Sequence, residues 1–104
     1  MEREKQRRLE AKGWKVGDAA DFLDLTPEES MIVEMRLALS RSLKERRKTL
    51  MTQAELATKI SSSQPRVAMA ENGDSSVSIE LLIRAMLATG ASPQEIGQII
   101  AAAV

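Results

Sequence analysis

The sequence predicts an all-α fold: a compact domain of five short helices behind an N-terminal extension. Three observations carry that expectation. Among 104 residues only Trp14 and Phe22 are aromatic, so the core must be built from Leu, Ile, Val, Ala and six Met, a palette that favours helices over sheets. From residue 32 onward apolar side chains recur at spacings of three and four, the period of a helix with one buried face. Each apolar run opens on Ser or Thr, and two of them close on Gly, the residues that start and stop helices.

The elements follow in order. "TPEES" offers Thr26 as N-cap, Pro27 at the first helical position and Glu29 at the third, a capping box that opens a first helix. Its apolar face runs through Ile32, Met35, Leu39 and Leu43 to about Arg46. "TQAEL" repeats the box with Thr52 and Glu55 and opens a second helix whose inward residues are Leu56, Ala57 and Ile60. "SSSQP" breaks it: Ser63 caps a third helix, Pro65 is harmless in a first turn, and Val67 and Ala70 face inward before "ENGD" stops the helix at Gly73. Ser78 caps a fourth, with Ile79, Leu82, Ile83, Met86 and Leu87 as its stripe and Gly90 after its end. Ser92, Pro93 and Glu95 open a fifth, which carries Ile96, Ile99, Ile100 and Ala103. The expected division is an extension over 1–25 and the helical domain over 26–104.

Composition excludes most chemistry. Without His or Cys there is no thiolate or imidazole for catalysis or zinc, no Gly-rich phosphate loop is present, and the carboxylates fall on capping positions and solvated faces. Asp18, Asp21 and Asp24 lack the spacing of a calcium loop, so neither a metal nor any other cofactor is expected, and an enzyme is not. No apolar run is long enough to span a bilayer and the N-terminus has no signal-peptide centre, which points to a cytoplasmic protein. Fifteen basic residues balance fifteen acidic ones, but in blocks: residues 36–48 hold six basic side chains and only Glu45, whereas 18–34 hold six acids and no base. Because salt screens charges beyond about 8 Å, a local basic surface attracts a polyanion even when the total is zero.

The second and third helices are separated by only a few residues, and the third is too small to be mainly a core element. That is the helix-turn-helix arrangement, in which the second helix of the pair lies in the DNA major groove. Outward on that helix stand Gln64, Arg66, Ala68 and Met69, a mixture of hydrogen-bonding and methyl-like groups suited to base edges. Similar helical hairpins also occur in modules that bind only proteins.

"TQAELATKISSSQPRVAMAENGDSSVSIELLIRAMLATGAS" resembles the XRE-type, phage-repressor-like helix-turn-helix domain, over residues 36–100. The likeness implies a lambda-repressor-like fold and a sequence-specific DNA-binding regulator, a dimeric repressor reading operator DNA. It implies base contacts from Ser63, Gln64, Arg66, Ala68 and Met69, and phosphate contacts from Gln53 and Asn72. Arg47, Lys48 and Lys59, with Arg41 and Lys44, are available to add phosphate contacts through the basic surface. Gln53 is also a good helix former, Ser63 a plain cap and Asn72 a plain terminator, and both readings of each stay open. Family geometry further implies an ion pair between Arg46 and Glu71 beneath the reading helix. The last helix, through Ile96, Ile99, Ile100 and Ala103, is the candidate dimer seam; the same stripe also reads as core.

"GWKVGDAADFLDLTPEE" ahead of the domain resembles the short XRE proteins paired with small toxins, the HigA-type antitoxins. On that alternative the N-terminal region neutralises a toxin, with Trp14 and Phe22 as anchors, while the protein regulates its own operon. The same residues also read as a tail or a segment folded over the domain. Three departures from the family pattern bear on the docking of the reading helix, one of them Ala70, small where the family prefers Leu or Ile, which lets that helix sit closer to the core. Ser61 and Ser62 occupy the turn where Gly and an apolar residue are usual, so a left-handed Ser61 would cost on the order of 1 kcal/mol. Leu50 replaces the Gly that usually ends the first helix.

Overall fold

The structure, a computed structural model, describes residues 25–103. Trp14 and Phe22 lie outside them. The elements are α1 (Pro27–Leu50), α2 (Gln53–Lys59), α3 (Gln64–Glu71), α4 (Ile79–Ala88) and α5 (Pro93–Ala102), with no strand among the described residues. The fold is all-α, as the composition and periodicity require. The chain divides into two units, residues 1–34 and residues 35–104, with the boundary inside the α1 sequence.

In the first unit the described part is the opening of α1. Thr26 and Glu29 form the expected reciprocal cap: the Thr26 amide donates to the Glu29 carboxylate at 2.9 Å, and the Glu29 amide donates to the Thr26 hydroxyl at 3.1 Å. Ile32, expected on the apolar face, is instead exposed, as is Met31.

The second unit is built around Leu39 and Leu43 of α1, Leu56 of α2, Val67 of α3, Val77 and the α4 residues Leu82 and Met86, all fully buried. Ala57, Ile60, Ala70, Leu81, Ala85, Ala91 and Ile96 complete this core. Most of the core comes from faces that the three-and-four spacing marks, but Leu81 and Ala85 of α4 and, from the connections, Val77 and Ala91 are buried off the expected stripes, while Leu87, which continues the α4 stripe in sequence, is 47% exposed. At 100° per residue, Leu82 and Met86 point inward and Leu87 falls on the edge of the buried arc.

Caps locate the remaining helix ends. Thr52 and Ser92 form complete capping boxes with Glu55 and Glu95, and Ser63 and Ser78 accept from the third amide of α3 and α4. Such caps contribute about 1 kcal/mol each. α1 has no Gly stop and runs to Leu50, which is exposed. Beyond α3, Gly73 holds φ +74°, and a Cβ built there would sit 2.7 Å from Leu37 Cδ2. Gly73→Ala is therefore expected to cost about 1–2 kcal/mol, mostly backbone strain because the Leu37 side chain can move. Urea unfolding would register it as a lower midpoint at unchanged slope.

Candidate nucleic-acid interface

α3 is a short helix held from behind and open in front. Val67 and Ala70 are buried and anchor it to the core, whereas Ser63, Gln64, Pro65 and Arg66 are exposed at its N-terminal end. The Ser63 hydroxyl accepts from the Arg66 amide at 3.3 Å, and Pro65 removes an amide that would have had no helical partner. The side chains of Gln64 and Arg66 have no hydrogen-bond or ionic partner among the described residues, so both are available to a ligand. Ala68 is half-buried, and Met69 packs partly against the core. Of the five residues expected to read bases, Met69 thus also serves as packing, which follows from its place one residue before buried Ala70.

The C-terminal end of α3 is fixed by a buried carboxylate. Glu71, with 1% of its side chain exposed, accepts two hydrogen bonds from Arg47, Nε to Oε2 at 2.6 Å and Nη2 to Oε1 at 2.9 Å. A third comes from Gln53 Nε2 at 3.0 Å. Arg47 also donates from Nη1 to the Met51 carbonyl at 3.3 Å. This is the fork-to-fork geometry that makes Arg the usual partner of a buried carboxylate. It ties the end of α1, the first turn of α2 and the end of α3 into one unit.

The expected pair of Arg46 with Glu71 is therefore corrected: the ion pair exists, but Arg47 makes it. Arg46 points to the other side of α1, where Nε donates to Thr89 Oγ1 at 3.2 Å and Nη1 meets Glu95 Oε2 at 3.3 Å. The expected phosphate role of Arg47 is corrected with it, because the Glu71 carboxylate takes two of its guanidinium nitrogens. Gln53 spends one amide hydrogen on Glu71 and is half-buried, and its other amide hydrogen has no bond among the described residues.

Burial by itself pushes the Glu71 carboxyl upward. The Arg47 and Gln53 hydrogen bonds, with the positive charges of Arg47 and Lys44, outweigh it and hold the group below the ordinary value of 4.5. A carboxylate depressed in the folded state contributes stability that is complete above the unfolded value and lost as the pH falls through the folded one. The acid limb of the stability curve should therefore begin near pH 4.5, and Glu71→Gln should flatten it in unfolding titrations between pH 5 and 3.

Nine basic residues lie in the second unit, and four of them are engaged internally: Arg47 and Arg46 as above, Arg36 with the Val77 carbonyl and Arg84 with the Ile60 carbonyl. Arg41, Lys44, Lys48, Lys59 and Arg66 are exposed, and their side chains make no hydrogen bond or close ion pair among the described residues. Arg41, Lys44 and Lys48 recur at three and four positions and so share one side of α1. Lys44 is near enough to Glu71 to lower its pKa, which puts that row on the α3 side. Lys48 and Gln64 line one open cleft of about 540 Å³ with Thr49, Thr52, Gln53 and Ala54. Asn72, the C-cap of α3, is exposed, and Lys59 is exposed in the last turn of α2.

The expected dimer seam divides. Ile96 is 6% exposed within its own chain and belongs to the core, while Ile99 and Ile100 pack partly against it and Ala103 is half-buried. Among the described residues there is no group of three or more Asp, Glu, His or Cys side chains placed to hold a metal, and no helix long and apolar enough to cross a membrane.

Compared with known proteins, the chain matches the family model described as helix-turn-helix over residues 43–96, from the buried Leu43 of α1 to the buried Ile96 of α5. No curated protein and no solved structure matches it.

Proposed function

The chain belongs to the XRE-type helix-turn-helix family of DNA-binding regulators, and on that premise we propose that it is a dimeric repressor that reads the major groove with the N-terminal half of α3. The observation that supports this best is the exposure of Ser63, Gln64 and Arg66 on a helix whose far end is clamped by Arg47 and Glu71. A reading helix needs both: free side chains to pair with base edges, and a fixed axis so that pairing is not diluted by motion. Arg66, which can bind phosphate as well as a base edge, joins Lys44, Lys48, Lys59, Arg41 and the spare N–H of Gln53 in supplying phosphate contacts that set register without choosing sequence.

Five exposed cations without an internal hydrogen bond among the described residues of each protomer imply modest affinity of this surface for a single half-site, and two protomers on half-sites about 34 Å apart raise it. The accessible edges of Ile99, Ile100 and Ala103, without Ile96, form the dimer seam in this reading. The exposed Met31 and Ile32 on the opening turns of α1 favour a second role beside the first, capture of a small toxin by the N-terminal part of the chain. Co-expression with the product of an adjacent gene tests it: a complex that survives size exclusion and is lost on Met31→Asp supports that role.

Fluorescence anisotropy with DNA from upstream of the protein's own gene, against a scrambled duplex at two salt concentrations, tests the main reading. Preference for the native duplex, weakened as salt rises, is the expected result. Equal weak binding to both duplexes overturns it.

A further inference from the structure

Three helices of this protein end in the same hydrogen-bonded motif, and one of the three breaks its usual residue rule. After α3 the Asp74 amide donates to the Met69 carbonyl and the Gly73 amide to the Ala70 carbonyl; after α4 the Ala91 amide donates to Met86 and the Gly90 amide to Leu87. After α2 the same pair recurs, Ser62 to Ala57 at 2.8 Å and Ser61 to Thr58 at 3.2 Å. This is the Schellman stop, which places its central residue in the left-handed region where Gly is favoured. Gly73 and Gly90 sit there at φ +74° and +93°, but the third position is held by Ser61 at φ +55°. A side chain there works against the turn.

That turn also has a support that the other two lack. The guanidinium of Arg84, from the middle of α4, donates from Nη2 to the carbonyl of Ile60 at 2.9 Å. Ile60 is the C-cap residue directly before Ser61, and its side chain is buried. Among the described residues no side chain donates to the corresponding carbonyls of Asn72 or Thr89. A cation at the C-terminal end of a helix is favourable in itself, and here the bond reaches the peptide that joins Ile60 to Ser61.

We infer that Arg84 is a positioning residue for DNA reading: it pins the strained turn between α2 and α3 by its bond to the Ile60 carbonyl and so sets where Ser63 and Gln64 enter the groove. This rests on the DNA-reading role proposed above. The turn runs from Ser61 to the α3 cap at Ser63, two residues later, so rotation at Ile60–Ser61 displaces the first turn of α3 directly. The Arg47 clamp acts at the other end of α3 and does not reach it.

The test uses the full chain with Arg84→Met, which keeps the side-chain stem, alone and combined with Ser61→Gly. Amide exchange is followed at Ser62, whose N–H closes the turn, and at Met86 in the core. The specific-to-nonspecific DNA affinity ratio and the salt slope are measured on the same proteins. In Arg84→Met, Ser62 should exchange about tenfold faster relative to Met86, the loss expected for one charge-assisted bond. The affinity ratio should fall several-fold at unchanged salt slope, and Ser61→Gly should restore both by removing the strain that the arginine restrains. Unchanged Ser62 protection, equal acceleration at Met86, an unchanged ratio or no rescue by Ser61→Gly each overturns the inference. A shallower salt slope overturns it as well, because Arg84 would then be a phosphate contact. Should the wild-type protein fail to discriminate the duplexes, the DNA reading falls, and the exchange measurement still decides whether Arg84 holds the turn.

Discussion

Arg47→Met is expected to lower the thermal midpoint by about 12–24 °C, the largest effect of any single substitution outside the apolar core. Removing one partner of a buried ion pair leaves the other charge desolvated and costs about 3–5 kcal/mol. The lower figure applies here, since the Arg47 side chain retains 14% exposure, and for a domain of this size each kcal/mol moves the midpoint by about 4–8 °C. Glu71 would be left buried with only Gln53 as donor. Arg46→Met, by contrast, breaks a pair whose side chains are 28% and 48% exposed, which is worth at most about 1 kcal/mol. Thermal unfolding of the two variants side by side therefore discriminates the two adjacent arginines. Equal losses, or a larger loss for Arg46→Met, would show that the clamp is assigned to the wrong residue. The double variant Arg47→Met/Glu71→Leu should recover most of the midpoint, because replacing both members of a buried pair by apolar groups is often neutral.

The adjacency of those arginines also marks where sequence stops being sufficient. Leu39 and Leu43 define the buried line of α1, and that line continues at both 46 and 47, three and four residues on. Spacing alone places the two side chains about 100° apart on either flank of the line, without saying which neighbour lies on which side. Only the packing of α2 and α3 on one flank, and of Thr89 and Glu95 on the other, assigns them. Helix boundaries were far more legible. Thr26, Thr52, Ser63, Ser78 and Ser92 each cap a helix through bonds that reach no more than three residues, so local sequence suffices. The Arg84 bond spans 24 residues and the Arg36 bond 41, and nothing in the chain's local pattern announces either. The exposure of Leu87 and the burial of Ile96 have the same origin: both lie on apolar stripes, and which edge of a stripe is covered depends on the neighbouring helix.

Gln64 and Arg66 stand two residues apart on the same exposed turn, yet their loss is expected to read out differently. A Gln side chain pairs with adenine through two hydrogen bonds and is worth about 1–3 kcal/mol of discrimination, so Gln64→Ala should weaken binding to the native duplex by roughly 10- to 100-fold. Its effect on a scrambled duplex should stay within about twofold, and the salt slope should not change, since no counterion is released at a base edge. Arg66→Ala is expected to weaken both duplexes alike and to make the slope shallower by about 0.9, the signature of one lost phosphate contact. The exposed guanidinium, with no internal partner among the described residues, is free to take that role, and Lys48 lines one cleft with the neighbouring Gln64. Anisotropy titrations of both variants at two salt concentrations separate the assignments. A native-duplex loss for Arg66→Ala alone would exchange the two roles, and no loss for Gln64→Ala would remove it from the reading face and leave Ser63 and Ala68 to carry sequence preference.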